Sequence, residues 1–370
     1  MAEPLKNRYN RKFIQGLADA LSPEIGKFSD KDFVSFVIDK EWQEMELKQR
    51  MRRIAVALRK HIGGTYESSV PIIKSTIQRL RKQGVQNDMF EYMFFADYVE
   101  VYGQDHVDIS MDAMEFITQF ASCEFAIRPF IVKDPEKTMK RMLLWSLNKE
   151  SRVRRLSSEG CRPRLPWAMA LSEFKKNPKV ILPILENLKS DESLSVRKSV
   201  ANNLNDIAKD NPEVVIHILR KWQGKNELTD WILKHGCRTL LRNADPKVLG
   251  RFGMSTEVRC ALIAFKLNAK EVLAGEKIEL SFSLENRGDR REKYRVEYGV
   301  DFMKSDGKQK RKIFKITENQ FEPRTIVSFT RKHTLADLTT RKHYSGRHNV
   351  VVLVNGNELG SKSFLLKGFS

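Results

Sequence analysis

The spacing of apolar residues changes once along the chain, near residue 260. Before that point they recur every three or four residues, as in Met51, Ile54 and Leu58, which is typical of helices with one buried face. After it they recur every second residue, which is typical of β-strands. The change predicts two domains, a helical one over residues 1–257 and a β domain over residues 258–370.

Two segments of the helical part resemble each other. SRVRRLSSEG (151–160) aligns with LSVRKSVANN (194–203) at an offset of 43 residues, and a weaker third copy, DWILKHGCRTLLRNADPKVL, follows. Helix pairs that repeat at about 40 residues are the mark of HEAT-like repeats, which stack into an array with a concave face. The pattern favours an α-solenoid, with an irregular helical bundle as the alternative.

Alternating segments such as KIELSFSL and KYRVEYGVDF fill the last part of the chain. The segment HNVVVLVNGNELGSKSFLL predicts a hairpin that turns at Asn355-Gly356. About seven short strands predict an immunoglobulin-like sandwich, although the Cys…Trp…Cys pattern of antibody domains is absent. The expected fold class is therefore multidomain α + β: an α-solenoid of HEAT-like repeats followed by a C-terminal immunoglobulin-like β-sandwich.

The net charge of the chain indicates what kind of molecule it binds. The chain has 66 Lys and Arg against 47 Asp and Glu, a net charge of +19, which indicates a polyanionic partner, nucleic acid before membrane. No apolar window is long enough for a membrane span, and no apolar signal region follows the N-terminus, so we expect a cytoplasmic protein. The four cysteines and seven histidines form no metal-binding motif, so we predict no metal.

Basic residues cluster in the β domain between positions 304 and 347. One interpretation is a solvated loop face, and the other is a surface that grips DNA phosphates without reading sequence. The cluster consists of Lys304, Lys308, Lys310, Arg311, Lys312, Lys315, Arg324, Arg331, Lys332, Arg341, Lys342 and Arg347.

The segment RVRRLSSEGCRPRLPWA (152–168) places one carboxylate, Glu159, among five arginines. Arg155 and Glu159 share one face of a predicted second helix of a repeat. Asn202 occupies the position that matches Glu159 in the other segment, and Asp206 lies one turn further. We expect these side chains to meet on the concave face. The alternative is that each carboxylate forms only a surface ion pair and that Trp167 belongs to a core.

Several carboxylates on a basic surface indicate a cationic target, because they repel phosphate. A base such as N3-methyladenine carries positive charge, and its departure leaves an oxocarbenium-like sugar. A carboxylate would stabilise that sugar and orient the attacking water. The Trp167 indole would attract the cationic base by a cation–π interaction.

Three segments carry a resemblance to a known family: CEFAIRPF (123–130), RRLSSEGCRPRLPWA (154–168) and SVRKSVANNLNDIAKDNP (195–212). They resemble the AlkC branch of the AlkC/AlkD alkylpurine DNA glycosylases, and the resemblance covers essentially the whole chain. It implies hydrolytic removal of 3-methyladenine, and also of 3-methylcytosine, from duplex DNA without full base flipping and without a cofactor. Carried onto this sequence, the resemblance implies active-site carboxylates and an aromatic wall at Glu124, Glu159, Asp206 and Trp167.

We expect a monomer that acts on double-stranded DNA with alkylated bases and has no lyase activity, since no lysine lies in a setting for Schiff-base chemistry. Two alternatives are a non-catalytic HEAT-like protein that binds damaged or branched DNA, and a protein-binding scaffold. The residues expected to contact DNA are Arg152, Arg154, Arg155, Arg162, Arg164, Arg197, Lys198, Lys310, Arg311 and Lys312.

Overall fold

The computed structural model describes residues 3–337 and 342–368. The chain divides into two compact units, Met1–Gly236 and Cys237–Ser370. This division lies ahead of the boundary predicted at residue 257, because the segment after Gly236 packs with the strands. Within the second unit, Lys293 Nζ donates a hydrogen bond to the Phe252 carbonyl at 3.0 Å, and Asn355 Nδ2 donates one to the Ser255 carbonyl at 2.8 Å.

The described part of the first unit is helical. No described helix of the chain is both long and apolar enough to span a bilayer. The α-helices are α1 (Arg11–Leu21), α2 (Asp30–Val37), α3 (Leu47–Ile62), α4 (Tyr66–Lys82), α5 (Phe94–Tyr102), α6 (Val107–Ile117), α7 (Ile127–Lys133), α8 (Pro135–Trp145), α9 (Ser151–Glu159), α10 (Ser172–Lys176), α11 (Leu182–Leu188), α12 (Leu194–Asp210), α13 (Pro212–Trp222) and α14 (Glu227–Gly236).

Local sequence signals set several helix starts. The Asn10 side chain accepts a hydrogen bond from the Phe13 amide at the start of α1, and Thr65 forms a capping box with Ser68 at the start of α4. Each side chain satisfies a main-chain amide that has no partner within its helix. The capped helices then bury their apolar faces against neighbouring helices.

Helix pairs stack in the order that the repeats predict. Helix α9 contacts α8, α12 contacts α9 and α14, and α11 contacts both α8 and α12. The second helices α9, α12 and α14 therefore form one layer. Helix α12 is buried on almost every side, and its buried set includes polar residues such as Asn203 and Asp206. The predicted fold class, HEAT-like repeats followed by a sandwich, is confirmed.

Gly160 ends α9 by close packing. Its φ is −63°, a helical value, so a left-handed cap is not the reason for the glycine. A Cβ at this position would lie 2.6 Å from Ile127 Cγ2 and 3.0 Å from the Leu156 carbonyl oxygen. The glycine lets α9 end directly against α7. The chain then forms an irregular segment, residues 160–171, before α10 begins.

The second unit starts with two short helices and continues as a sandwich. A three-stranded sheet has the order β1-β3-β6, and a five-stranded sheet has the order β2-β8-β7-β4-β5. The elements are α15 (Arg238–Arg242), α16 (Pro246–Arg251), β1 (Cys260–Leu267), β2 (Glu271–Leu273), β3 (Lys277–Asn286), β4 (Glu292–Met303), β5 (Gln309–Phe321), β6 (Ile326–Thr334), β7 (Gly346–Val354) and β8 (Asn357–Lys367).

The sequence pattern predicted most of this unit. The hairpin between β7 and β8 turns at Asn355 and Gly356, whose φ angles are 48° and 83°. Both central residues of a type I′ turn have positive φ, which explains the Asn-Gly pair. The described residues form eight strands where the pattern predicted about seven, and the shortest is β2, a three-residue strand that pairs in parallel with β8.

Candidate active site

Three carboxylates alternate with three cations in one continuous series of contacts in the first unit. They come from the turn before α7, from α9 and the turn after it, and from α12. We call this set the carboxylate row. In the order of their contacts it consists of Glu124, Arg155, Glu159, Arg162, Asp206 and Lys209.

Glu124 begins the row. It lies in the turn that precedes α7, and its Oε2 atom is 2.7 Å from Arg155 Nη1. The Ser122 hydroxyl donates to the same oxygen at 2.8 Å. The Glu124 side chain is 15% exposed, more than either of the other two carboxylates in the row. Burial opposes the charge of Arg155, but the nearby Glu124 and Glu159 carboxylates outweigh it and raise its pKa.

Arg162 occupies the centre of the row. Its Nη1 atom donates to Glu159 Oε1 at 2.6 Å, and its Nε atom donates to Asp206 Oδ2 at 2.9 Å. All three side chains are buried, with Asp206 only 2% exposed. Burial opposes the Arg162 charge, but the two carboxylates outweigh it and raise its pKa. The sequence assigned Arg162 to DNA contact, whereas its guanidinium lies inside the site and fixes two carboxylates.

Lys209 closes the row. Its Nζ atom donates to Asp206 Oδ1 at 2.9 Å, so both oxygens of Asp206 accept hydrogen bonds from cations. The distance from Arg155 Nη2 to Glu159 Oε1 is 4.0 Å, longer than the 2.6 Å contact from Arg162. The surface i, i+4 pair considered from the sequence is therefore the weaker of the two contacts of Glu159 with arginine. The row carries three negative and three positive charges.

Trp167 lies in the segment between α9 and α10, and its side chain is 69% exposed. The structure excludes the alternative that this tryptophan belongs to a core. Its φ is 65°, in the left-handed region that side chains other than glycine and asparagine rarely adopt. The Lys48 ammonium donates a hydrogen bond to the Trp167 carbonyl. A large apolar ring is thus presented to solvent from a constrained backbone.

Arg128 is a residue that sequence reasoning did not single out. It is fully buried on α7, and its Nε atom donates to the Met169 carbonyl at 2.7 Å. Its Nη1 atom donates to the carbonyls of Gly160 and Arg162 at 2.8 and 2.9 Å. Burial lowers its pKa to about 10. The sequence feature that could have indicated a buried arginine is its position within the otherwise apolar stretch FAIRPFIV.

Arg154 and Arg197, both expected to contact DNA, make structural contacts. Arg154 Nε donates to Asp191 Oδ2 at 2.6 Å. Arg197 Nη1 donates to the carbonyls of Asp191 and Glu192 at 2.8 and 2.7 Å. These contacts tie the starts of α9 and α12 to the loop before α12.

Three further residues of the expected DNA-binding set lie nearer the surface. Arg152 Nη2 pairs with Asp88 at 2.9 Å, and Arg164 Nη2 pairs with Asp210 at 2.6 Å. Lys198 is exposed on α12. These three residues are therefore two surface ion pairs and one exposed lysine on or next to the helices that carry the row.

A cleft of about 610 Å³ lies beside the start of the row. Sequence reasoning did not predict it. Arg52 Nε donates to Asp97 Oδ2 at 2.6 Å within this cleft. Glu100 also lines the cleft, and burial raises the pKa of its carboxyl group. In the described part of the chain, no group of three His, Cys, Asp or Glu side chains could hold a metal ion. The cleft is lined by Met45, Lys48, Gln49, Met51, Arg52, Arg53, Val56, Met93, Ala96, Asp97, Glu100, Phe125 and Ala126.

In the second unit, Lys310 and Lys312 are exposed on β5, an edge strand of the five-stranded sheet. They pair with core residues Phe302 and Val300 of β4, so their side chains start on the inward face of the sheet. Such inward charges also protect an edge against strand pairing.

Arg311, between these two lysines, is engaged within the sheet. Its Nε and Nη1 atoms lie 2.7 Å from carboxylate oxygens of Asp301 and Glu358. Hydrogen bonds from Arg311 to these carboxylates, Asp301 first, raise its pKa. Arg341, another member of the predicted basic cluster, lies outside the described residues.

Comparison with known proteins covers both units. A family model described as "Uncharacterised protein YhaZ, C-terminal Ig-like domain" matches residues 261–368. The chain is 40% identical over 360 residues to the uncharacterized protein YhaZ of Bacillus subtilis (strain 168), covering 97% of this chain and 98% of that protein.

A solved structure matches almost the whole chain. It is the alkylpurine DNA glycosylase AlkC of Pseudomonas fluorescens, bound to DNA containing an abasic site analog. The TM-score is 0.93 and the identity is 36%, with 99% of this chain and 100% of that chain covered. The chain belongs to the AlkC family. The resemblance to AlkC inferred from three short segments is confirmed, and so is the AlkC arrangement of a helical part followed by an immunoglobulin-like domain.

Proposed function

We propose that the protein is a DNA glycosylase that hydrolyses the N-glycosidic bond of cationic alkylated bases in duplex DNA. The observation that carries the proposal is the carboxylate row, together with the exposed Trp167 indole in the segment after α9, in a chain of the AlkC family. The relative from P. fluorescens was solved with DNA containing an abasic site analog, and an abasic site is what base hydrolysis leaves. We propose 3-methyladenine as the main substrate and 3-methylcytosine as a second.

The three carboxylates have different environments, which supports a division of roles. Asp206 is almost fully buried and accepts hydrogen bonds on both oxygens, and Glu159 is held by Arg162. Glu124 is the most exposed of the three, and its short contacts with Arg155 and Ser122 both fall on Oε2. Glu124 is therefore best placed to stabilise the oxocarbenium-like sugar and to orient water.

Glu159 and Asp206 then act through charge and position. They fix Arg162, and Glu159 is joined to Glu124 through Arg155, so their negative charges belong to the same row. A buried carboxylate acts at longer range than an exposed one, because the low dielectric around it screens its field less. The lesion cation gains this stabilisation, whereas an undamaged neutral base does not.

Trp167 supplies the contact with the base. An indole face attracts a cation by roughly 0.5–2 kcal/mol, depending on how far both are desolvated. The ring is exposed on the protein surface, which fits a reaction on a lesion that stays within the duplex. No covalent intermediate is needed, so the product is an abasic site without strand cleavage.

Affinity for DNA would come from exposed basic residues of both units. In the first unit these are Arg152, Arg164 and Lys198; the first two would exchange their present carboxylate partners for phosphate. In the second unit they are Lys310 and Lys312. Phosphate contacts position the enzyme without reading sequence, which suits a repair enzyme acting on cytoplasmic chromosomal DNA.

A second candidate function is damaged-DNA binding without catalysis. The observation that favours it is the ion pairing of Glu159 and Asp206 with cations, because paired carboxylates can serve structure alone.

Base release separates the two functions. The full chain is incubated with duplexes carrying 3-methyladenine, 3-methylcytosine or no lesion, and free bases are identified by mass spectrometry. The glycosylase proposal predicts release of the methylated bases only, with the sugar–phosphate strand left intact until alkali is added. Binding of the lesion duplexes with no release under single-turnover conditions would favour the second function.

A further inference from the structure

The segment that carries Trp167, residues 160–171, is held by two cations from other helices. Arg128 comes from α7 and Lys48 from α3. Both donate to main-chain carbonyls of this segment. Carbonyl acceptors leave no trace in a sequence, so this support is visible only in the structure.

Arg128 fixes the segment at both ends. Its Nη1 atom donates hydrogen bonds to the carbonyls of Gly160 and Arg162 near the start of the segment. Its Nε atom donates one to the Met169 carbonyl near the end. Its hydrogen bonds all end on carbonyls, although a carboxylate is the usual partner of a buried guanidinium. The rigid fork of arginine donors makes these distances difficult for a lysine to reproduce.

Lys48 fixes the middle of the segment. Its Nζ atom donates to the Trp167 carbonyl and also lies 4.6 Å from the centroid of the Phe125 ring. Phe125 directly follows Glu124 in the chain. One ammonium group therefore contacts both the residue that presents the indole and the neighbour of the most exposed carboxylate.

The backbone of Trp167 needs such support. A non-glycine residue in the left-handed region costs on the order of 1 kcal/mol or more, and it persists where surrounding contacts over-determine it. The φ of 65° together with a largely exposed ring means that the ring's own packing does not supply those contacts. The carbonyl contacts remain as the restraint.

We propose that Arg128 and Lys48 are positioning residues that hold the backbone of Trp167 in the conformation that presents its ring to solvent. Arg128 sets the ends of the segment and Lys48 sets the backbone of Trp167 itself. The catalytic consequence rests on the proposed glycosylase function, but the restraint on Trp167 does not.

Tryptophan fluorescence tests the restraint without any substrate. Trp167 is the exposed one of the five tryptophans, so acrylamide quenching and fast anisotropy decay report mainly on it, and a Trp167→Phe variant supplies the background. Of the others, Trp42, Trp145 and Trp222 are buried and Trp231 is half-buried.

Lys48→Met removes the donor and keeps most of the side-chain stem, so we expect faster local motion of Trp167. Lys48→Arg keeps donors and should retain the native decay. Lys60→Met is the matched control, because Lys60 lies on the same helix over the Phe36 ring, 4.2 Å from its centroid. Arg128→Lys should also loosen Trp167; where that variant does not fold, the Lys48 series decides.

Base release gives the second readout. Displacing a catalytic group by about 1 Å lowers the rate on the order of 10²-fold. We therefore expect Lys48→Met to lower the single-turnover rate of base release tenfold or more. The affinity of Lys48→Met for DNA should change less than its rate of base release. Lys48→Arg should retain most of the native rate. Unchanged Trp167 motion in folded Lys48→Met overturns the proposal. Altered motion combined with no base release by the native chain refutes the glycosylase function and leaves the restraint standing.

Discussion

Arg162 joins Glu159 to Asp206, at 2.6 Å from the first and 2.9 Å from the second, and so links the turn after α9 to the middle of α12. The three side chains are buried together. A buried guanidinium between two carboxylates fixes their positions, because any movement of one leaves a charge unpaired. The geometry of the candidate site therefore depends on a residue that itself lies behind the surface.

Replacing Arg162 by Met should strongly destabilise the first unit. The substitution leaves two buried carboxylates without their shared partner, and breaking a buried ion pair from one side typically costs about 3–5 kcal/mol. Urea denaturation followed by circular dichroism measures the loss. Arg164→Met is the matched control, since its exposed pair with Asp210 is worth about 0–1 kcal/mol. An equal loss of unfolding free energy in the two variants would show that the Arg162 contacts stabilise the fold no more than an exposed ion pair does.

Glu186 gives a prediction about acid stability. Burial alone would raise its pKa, but hydrogen bonds from Lys189, Lys221 and Trp222 outweigh burial and lower the pKa to about 2. A carboxyl group whose folded pKa is depressed stabilises the fold above its unfolded pKa and loses that contribution as pH falls. Stability should therefore fall between about pH 4.5 and pH 2.

The Glu186→Gln variant should lose stability at neutral pH and show a shallower decline in that acidic window. Thermal unfolding at a series of pH values measures both effects. Glu173→Gln is the control, because Glu173 forms only an exposed pair with Lys176. An acid profile for Glu186→Gln that parallels the native one would contradict the assignment.

Removing the charges of Lys310 and Lys312 should weaken binding to every duplex by a similar factor. If both contact phosphates, the slope of log affinity against log salt should become shallower by about 0.9 for each lost contact. Fluorescence anisotropy titrations of Lys310→Gln/Lys312→Gln at several salt concentrations test this. An unchanged slope would leave edge protection as the role of these lysines.

Arg311→Gln serves as a contrast in the same strand. Arg311 is paired with Asp301 and Glu358, so its loss should lower the stability of the second unit more than it lowers DNA affinity.

Local sequence patterns predicted the structural features that depend on residues close together in the chain. The strand with Tyr294, Val296 and Tyr298 and the turn at Asn355-Gly356 follow from alternation and from turn chemistry, and both are present. The layer of second helices follows from the repeat and places α9 against α12. The family resemblance then pointed to residues that the structure brings into one row.

The remaining features depend on distant partners. Arg162 pairs with Asp206 across 44 positions, so the sequence could not show that this arginine is buried rather than exposed. The partners of Arg128 are carbonyls, which every residue possesses. The division at Gly236 arises because the segment after it contacts residues far along the chain: Ala244 lies against Gly356, and the Phe252 carbonyl accepts a hydrogen bond from Lys293. Helical periodicity alone assigned this segment to the solenoid.

Glu124 is the carboxylate that we propose acts on the reacting sugar. Replacement by Gln removes the negative charge and keeps the shape, so the single-turnover release of 3-methyladenine should fall by at least 10²-fold, the usual cost of losing a key electrostatic contact. Affinity for the lesion duplex should stay within a few-fold. Glu24→Gln is the matched control, because Glu24 also forms a partly buried pair with an arginine, Arg79, at 2.8 Å.

The most direct measurement is therefore the single-turnover rate of 3-methyladenine release by the native chain, Glu124→Gln and Glu24→Gln on the same duplex. We expect a native rate that Glu24→Gln retains and Glu124→Gln loses, with all three proteins binding the DNA. A folded Glu124→Gln variant that releases the base at the native rate would contradict it.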